Sequence, residues 1–285
     1  MANIQINLFE ELANIFRQDL EDLGYSTTSL RTPEEVTMMY VTTYERLVSK
    51  RVRSIEFANG FQVPSHLQSG FDLLCEKFRN GCSVYPHLSR TTDKMDFQDK
   101  MLFDWGIHHF HLGTVIENDG YVNRTGDVLY AIVSEDKVRC LVIQPHNHWA
   151  DKDLLEIVLA NWPELLETWR TNGTPCLNLS SESIKEARKA NINIITQLSD
   201  GYGYVGRGWG ITTAGTSAFA THQMIRMKGD IRRFEKIYKA HVSSLEDDEL
   251  HEFHLVRKDS VICVECKSLD FVDDFYRLDR LVNFK

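Results

Sequence analysis

Residues 127–143 constrain this chain more than any other stretch. Asp127-Val128-Leu129-Tyr130-Ala131-Ile132-Val133 is followed by the polar Ser134-Glu135-Asp136-Lys137 and then by Val138-Arg139-Cys140-Leu141-Val142-Ile143. Two β-branched, apolar runs joined by a short polar link predict an antiparallel hairpin. A lone hairpin is marginal in water, so other elements must cover it. The flanks supply candidates. Ile6, Phe9, Leu12, Ile15, Phe16, Leu20 and Leu23 recur at spacings of three and four, which predicts an amphipathic helix over 5–23 stopped by Gly24. Thr32-Pro33-Glu34-Glu35 joins an N-cap to a first-turn proline and early acids, predicting a second helix from Thr32 to about Lys50. Similar spacing predicts helices over 66–80, 94–104, 151–169 and 222–240, and short strands at 192–198 and 261–264.

The expected fold is therefore α+β, a small antiparallel β-sheet core with extensive N-terminal and C-terminal helical elaborations. Its expected parts are a helical region over 1–92, an α+β core over 93–170 that carries the chemistry, and a C-terminal α+β region over 171–285, packed together as one compact unit. A net charge of −9 argues against non-specific gripping of nucleic acid or anionic membrane, because that affinity comes from Lys and Arg neutralising phosphates. Met1 to Asn7 lacks the pattern of a secretory leader, and no apolar run reaches membrane-spanning length, so the expectation is a cytoplasmic protein with no membrane partner. The six cysteines are scattered, which predicts free thiols rather than a disulfide framework. Cys263-Val264-Glu265-Cys266 lacks the second pair that a structural zinc site wants.

Histidine is where chemistry concentrates. Five of the eleven lie between positions 108 and 148, as Ile107-His108-His109-Phe110-His111 and as His146-Asn147-His148 beyond the second hairpin strand. Imidazole both gives and accepts protons near neutrality, and its neutral form binds metals. Residues two apart on a strand share a face, so His109 and His111 form one pair, His146 and His148 another, and His108 points away. Arg124, just before the hairpin, offers a fork of donors suited to phosphate. With histidines as acid and base, this is equipment for metal-independent cleavage of RNA by attack of the ribose 2′-hydroxyl.

A helix, then Leu112-Gly113, Arg124, Val128-Leu129-Tyr130, an acidic turn at Glu135-Asp136-Lys137, and Val142-Ile143-Gln144-Pro145-His146 together resemble the RelE-type toxin ribonucleases, within the wider barnase/EndoU/colicin/RelE-like nuclease group. The resemblance covers residues 95–150. It implies metal-independent RNA cleavage with Arg124 and His146 at family functional positions, RNA as substrate, and an antitoxin or other protein as partner. Asn147 stands where family members often carry arginine. Residues 93–153 hold eleven acids against six bases, which leaves the basic stretch at 222–240 as the expected source of positive charge.

Three alternatives use the same residues or others. His109, His111 and His146 fit an open three-histidine site for zinc or another divalent metal, which would make the chain a metal-dependent hydrolase or nuclease. A non-enzymatic partner-binding protein with structural histidines is the second. Asp259, Glu265 and Lys267 around a short apolar strand resemble the PD-(D/E)xK nucleases, the third. Gly201-x-Gly203-x-x-Gly206 matches a dinucleotide fingerprint only in its letters, and predicts a tight loop whose amides are free to approach an anion.

Overall fold

The structure is a computed structural model that describes residues 3–172, 176, 178–245, 249–259 and 261–277. In chain order the elements begin with β1 (Asn3–Ile6), α1 (Leu8–Asp22), α2 (Pro33–Arg46), β2 (Ser54–Phe57), α3 (Gln68–Arg79), α4 (Lys100–Trp105), β3 (His108–His111), β4 (Asp127–Val133) and β5 (Lys137–Pro145). They continue with α5 (Asp153–Asn161), α6 (Glu164–Glu167), β6 (Arg170–Thr171), α7 (Ser181–Lys189), β7 (Thr196–Gln197), β8 (Gly203–Tyr204), α8 (Ala218–Ser243), β9 (Leu250–Lys258), β10 (Val261–Cys266) and β11 (Phe271–Arg277). This is the α+β class expected, built on small sheets. Among the described residues no helix is long and apolar enough to cross a membrane.

The chain forms two compact units, residues 1–44 with 220–284 and residues 45–219, so it divides near 44 and 219 rather than at 92 and 170. The reason is a pairing across almost the whole sequence. β1 runs parallel to β9, with Asn3 opposite Leu250 and Ile6 opposite Phe253, and this ties both chain ends into one sheet ordered β1-β9-β10-β11. It also trims the first expected helix, whose residues 5 and 6 are strand. Leu8, Leu12, Ala13, Phe16 and Leu20 of α1 are buried as their spacing requires, and Gly24 follows in the left-handed region at φ +88. Thr32 and Glu35 form a capping box on α2, each side chain bonded to the other's backbone N–H.

Several remaining expectations resolve within this smaller unit. Cys263 contacts Asp274 and Cys266 contacts Ser268, so the two thiols do not converge on an ion. Asp259 sits in the left-handed region (φ 55) beside the β9–β10 turn while Glu265 pairs with Lys258, so the acids of the nuclease-like motif do not meet. Ser260, within that segment, lies outside the described residues. On α8, Lys228 pairs with Glu34, and Arg226 and Arg233 lie beside Asp230, which offsets much of the helix's basic charge.

The larger unit is a layered one. Its main sheet runs β2-β5-β4-β3, antiparallel except for the parallel β2–β5 edge pair. Alternation sorts β4 cleanly: Val128, Tyr130 and Ile132 pack with Leu154, Leu155 and Val158 of α5, while Leu129 and Ala131 pack with Phe71, Leu74 and Phe78 of α3. Covered on both faces, the strand reads as a continuous apolar run. Gly70 lets α3 approach, because a Cβ there would lie 1.7 Å from the Leu112 carbonyl oxygen. The expected helix over 151–169 breaks at Trp162-Pro163 into α5 and α6, and the strand expected at 192–198 shrinks to β7. Two amides of the glycine loop are spent within the fold. Gly208 and Gly210 give their N–H groups to the carbonyls of Asp104 and Phe103, capping α4 (2.6 and 2.8 Å).

A buried ion pair joins α4 to α7. Arg188 donates twice to Asp104 Oδ2 (2.9 and 2.7 Å) and once to the Trp149 carbonyl (2.7 Å), with its guanidinium 3.7 Å from the Trp105 ring centre. Both side chains are at most 5% exposed. Asp104→Ala leaves an unpaired buried guanidinium and is expected to lower unfolding free energy by about 3–5 kcal/mol, whereas adding Arg188→Met restores much of the loss. Urea denaturation of the single and double variants checks this; equal losses in both would contradict it.

Candidate functional site

β3 pairs antiparallel with β4 so that His109 lies opposite Tyr130 and His111 opposite Val128. The pleat turns both histidines to the α5 side of the sheet, while His108 is buried beside Phe110 toward α3. The loop after β3 then returns to this face. Gly113 permits it, since a Cβ there would lie 2.1 Å from the Asn123 carbonyl oxygen, and Asn123 Oδ1 accepts from the N–H groups of Thr114 and Val115 (3.0 Å each). Thr125 accepts from Leu112 N–H (3.2 Å) and donates to the Asp127 carbonyl (2.6 Å). Arg124, fixed between these two anchors, brings Nη1 to 3.4 Å from His111 Nε2.

His146 arrives by another route. The chain leaves β5 at Pro145 and enters a 3₁₀ turn over His146–His148, so the two histidines do not alternate as on a strand. Tyr130 Oη donates toward the carbonyls of Pro145 and His146 (3.2 Å each), and His146 N–H donates to the Gly126 carbonyl (3.2 Å). His146 thereby joins His109 and His111, at ring-centre distances of 4.8 and 5.6 Å. His148 does not join them: its Nδ1 bonds Asp151 instead. Of the expected site residues, His109, His111, Arg124 and His146 converge and His148 stands apart.

The three imidazoles offer nitrogens that all lie within 4.8 Å of one another, the sole such group of potential metal ligands among the described residues. His109 Nε2 and His111 Nδ1 are buried without a hydrogen-bond partner. Burying an unpaired polar atom is costly, which makes these two nitrogens candidates for a ligand. The surroundings disfavour a proton on all three rings. Burial, reinforced by His109 and Arg124, pushes His111 down to about 3. Burial lowers His109, with Asp99 opposing, and burial plus the neighbouring His109 and Arg124 lowers His146.

Two supporting residues carry no functional signal in the sequence. His87, buried, donates from Nδ1 to the His111 carbonyl (2.8 Å) and so steadies the end of β3 from 24 residues away. Asp99 caps α4 through Leu102 N–H (3.1 Å) and lines a cavity of about 380 Å³ shared with His109, His146 and Arg124. Its position just before α4 suits an N-cap, but nothing local places it beside the histidines. Compared with known protein families, with curated proteins and with solved structures, the chain matches none.

The buried His111 ring dictates a pH response. An unfolded His111 takes a proton near pH 6.5 that the folded one refuses until about 3, so the unfolded state binds more protons in that window and stability falls as pH falls through it. Chelator-treated protein is expected to lose up to about 1.4 kcal/mol per pH unit from this group between pH 6 and 4, and His111→Gln to flatten the slope. Urea midpoints across that range measure it; an unchanged slope in the variant would refute the assignment.

Proposed function

We propose that residues 45–219 bind a divalent metal on His109, His111 and His146 and hydrolyse a phosphodiester, with RNA the foremost candidate. The observation that carries this reading is the pair of buried, unpartnered imidazole nitrogens in a neutral three-histidine group. A metal requires deprotonated ligands, and the surroundings lower the proton affinity of all three imidazoles. The spacing is workable. Tetrahedral zinc with bonds of about 2.0–2.1 Å wants donors roughly 3.3 Å apart, so the widest pair must close by about 1.5 Å. Exposed His146 has the freedom to make that adjustment.

When bound, the ion supplies Lewis acidity and an acidified water. The protein's own groups do the rest. Arg124, beside His111, holds the phosphate and offsets its charge as the reaction proceeds. Asp99 partly balances the positive charge around His109 and His146. The Tyr130 hydrogen bonds and the His87 bond to the His111 carbonyl keep the ligands on separate segments in register.

A second reading is favoured by one contact, Arg124 Nη1 against His111 Nε2. A phosphate bound there would raise the proton affinity of the neighbouring imidazoles and let one act as general acid and another as base without metal. Incubating purified protein with RNA, with and without chelator, separates the two. The metal reading expects one equivalent of zinc or cobalt, cleavage lost to chelator, and a loss of metal affinity of at least about 100-fold in His146→Ala, which alters only an exposed side chain. Cleavage that survives chelation supports the metal-free mechanism, and neither uptake nor cleavage would sink both.

A further inference from the structure

The lining of the cavity beside the histidines is chemically mixed. His109, His146 and Arg124 suit an anionic phosphate. Phe97, Met101 and Trp149 are apolar, and Asp99 is an acid. A phosphate alone has no use for aromatic walls and is repelled by a carboxylate. Among the described residues only one Asp99 oxygen is engaged, by Leu102 N–H at 3.1 Å. Lys100, in the same lining, does not neutralise it, because its ammonium is tied to the Arg188 carbonyl and Asn191 Oδ1 (2.9 Å each). The carboxylate therefore keeps acceptor capacity in a partly apolar space.

We infer that this cavity is a nucleobase slot, in which the ring of a nucleotide lies against Phe97 and Trp149 and gives N–H groups to Asp99 while its phosphate meets Arg124. Aromatic faces hold bases by stacking, and a carboxylate, which only accepts, selects bases by the donors they present. Guanine offers two adjacent donors on one edge, its ring N–H and its amino group, where uracil offers a single ring N–H. Asp99 thus becomes a specificity residue that prefers guanine. The inference rests on the phosphodiester reading above and supplies its substrate preference.

Calorimetric titration of the metal-loaded protein with GMP, UMP, ribose 5-phosphate and inorganic phosphate tests it. GMP is expected to bind at least about tenfold tighter than ribose 5-phosphate, the scale of one stacked base. It is also expected to exceed UMP by roughly fivefold or more, the lower end for a bidentate base contact. Asp99→Asn keeps a good helix cap, and should erase most of the GMP preference over UMP while phosphate affinity holds or rises, because a carboxylate that repels the anion is gone. Ribose 5-phosphate binding as tightly as GMP would overturn the slot, and an undiminished GMP preference in Asp99→Asn would overturn the role of Asp99. The same titrations on chelator-treated protein keep the two ideas apart: failure to take up metal counts against the metal centre, whereas base discrimination without metal still supports the slot.

Discussion

The β3–β4 register is the constraint on which the larger unit depends. With His109 opposite Tyr130 and His111 opposite Val128, both imidazoles join the face that α5 covers. A slip of one residue would send them to the α3 side and bring His108 and Phe110 into their place. Such a slip is strongly opposed, because Leu129 and Ala131 fill the core against α3 and Val128 and Ile132 fill the one against α5. Tyr130 then couples that register to the arrival of His146, since its hydroxyl reaches the Pro145 and His146 carbonyls from within the same strand. The geometry of the histidine group is thus a consequence of core packing, with no dedicated scaffold of its own.

Much of this arrangement is legible in local sequence patterns. The hairpin, the helices α1 to α3 and the shared face of His109 and His111 follow from periodicities of two and three to four residues, which packing on both sides of the sheet then enforces. The same periodicity misleads for His146 and His148, because pairing them assumes that the strand continues past Pro145. A 3₁₀ turn there advances the backbone about 120° per residue, so neighbours two apart diverge. His148 leaves for Asp151 as a result.

The features that local pattern hides depend on long sequence separations. Parallel pairing of β1 with β9 has no local signature, yet it decides where the chain divides. Asp104 and Arg188, 84 residues apart, carry no local sign of pairing in the sequence and are among the most enclosed side chains in the fold. The glycine loop is similar. Its residues read as an anion cradle, but Gly206 and Gly208 are small because the loop lies on the carbonyls of α4, where a Cβ would come within 2.4 Å of a backbone oxygen.

Charge balance links these elements to the proposed chemistry. Three neutral imidazoles beside Arg124 form a site that already disfavours protons, and a divalent ion added there would gather further positive charge around a single carboxylate, Asp99. That excess is tolerable only if the working state includes an anion, since like charges in a partly desolvated space raise the free energy steeply. In the function proposed above, a phosphodiester would supply that anion within reach of the Arg124 fork. Asp99 contributes in the opposite sense, moderating the field at His109 and His146, so the two roles proposed for it, tuning the ligands and reading a base, would use the same negative charge. Arg188, fully occupied by Asp104 and the Trp149 carbonyl, adds nothing to the cavity's charge but holds Trp149 in its wall, which is how a structural ion pair comes to shape the space beside the histidines.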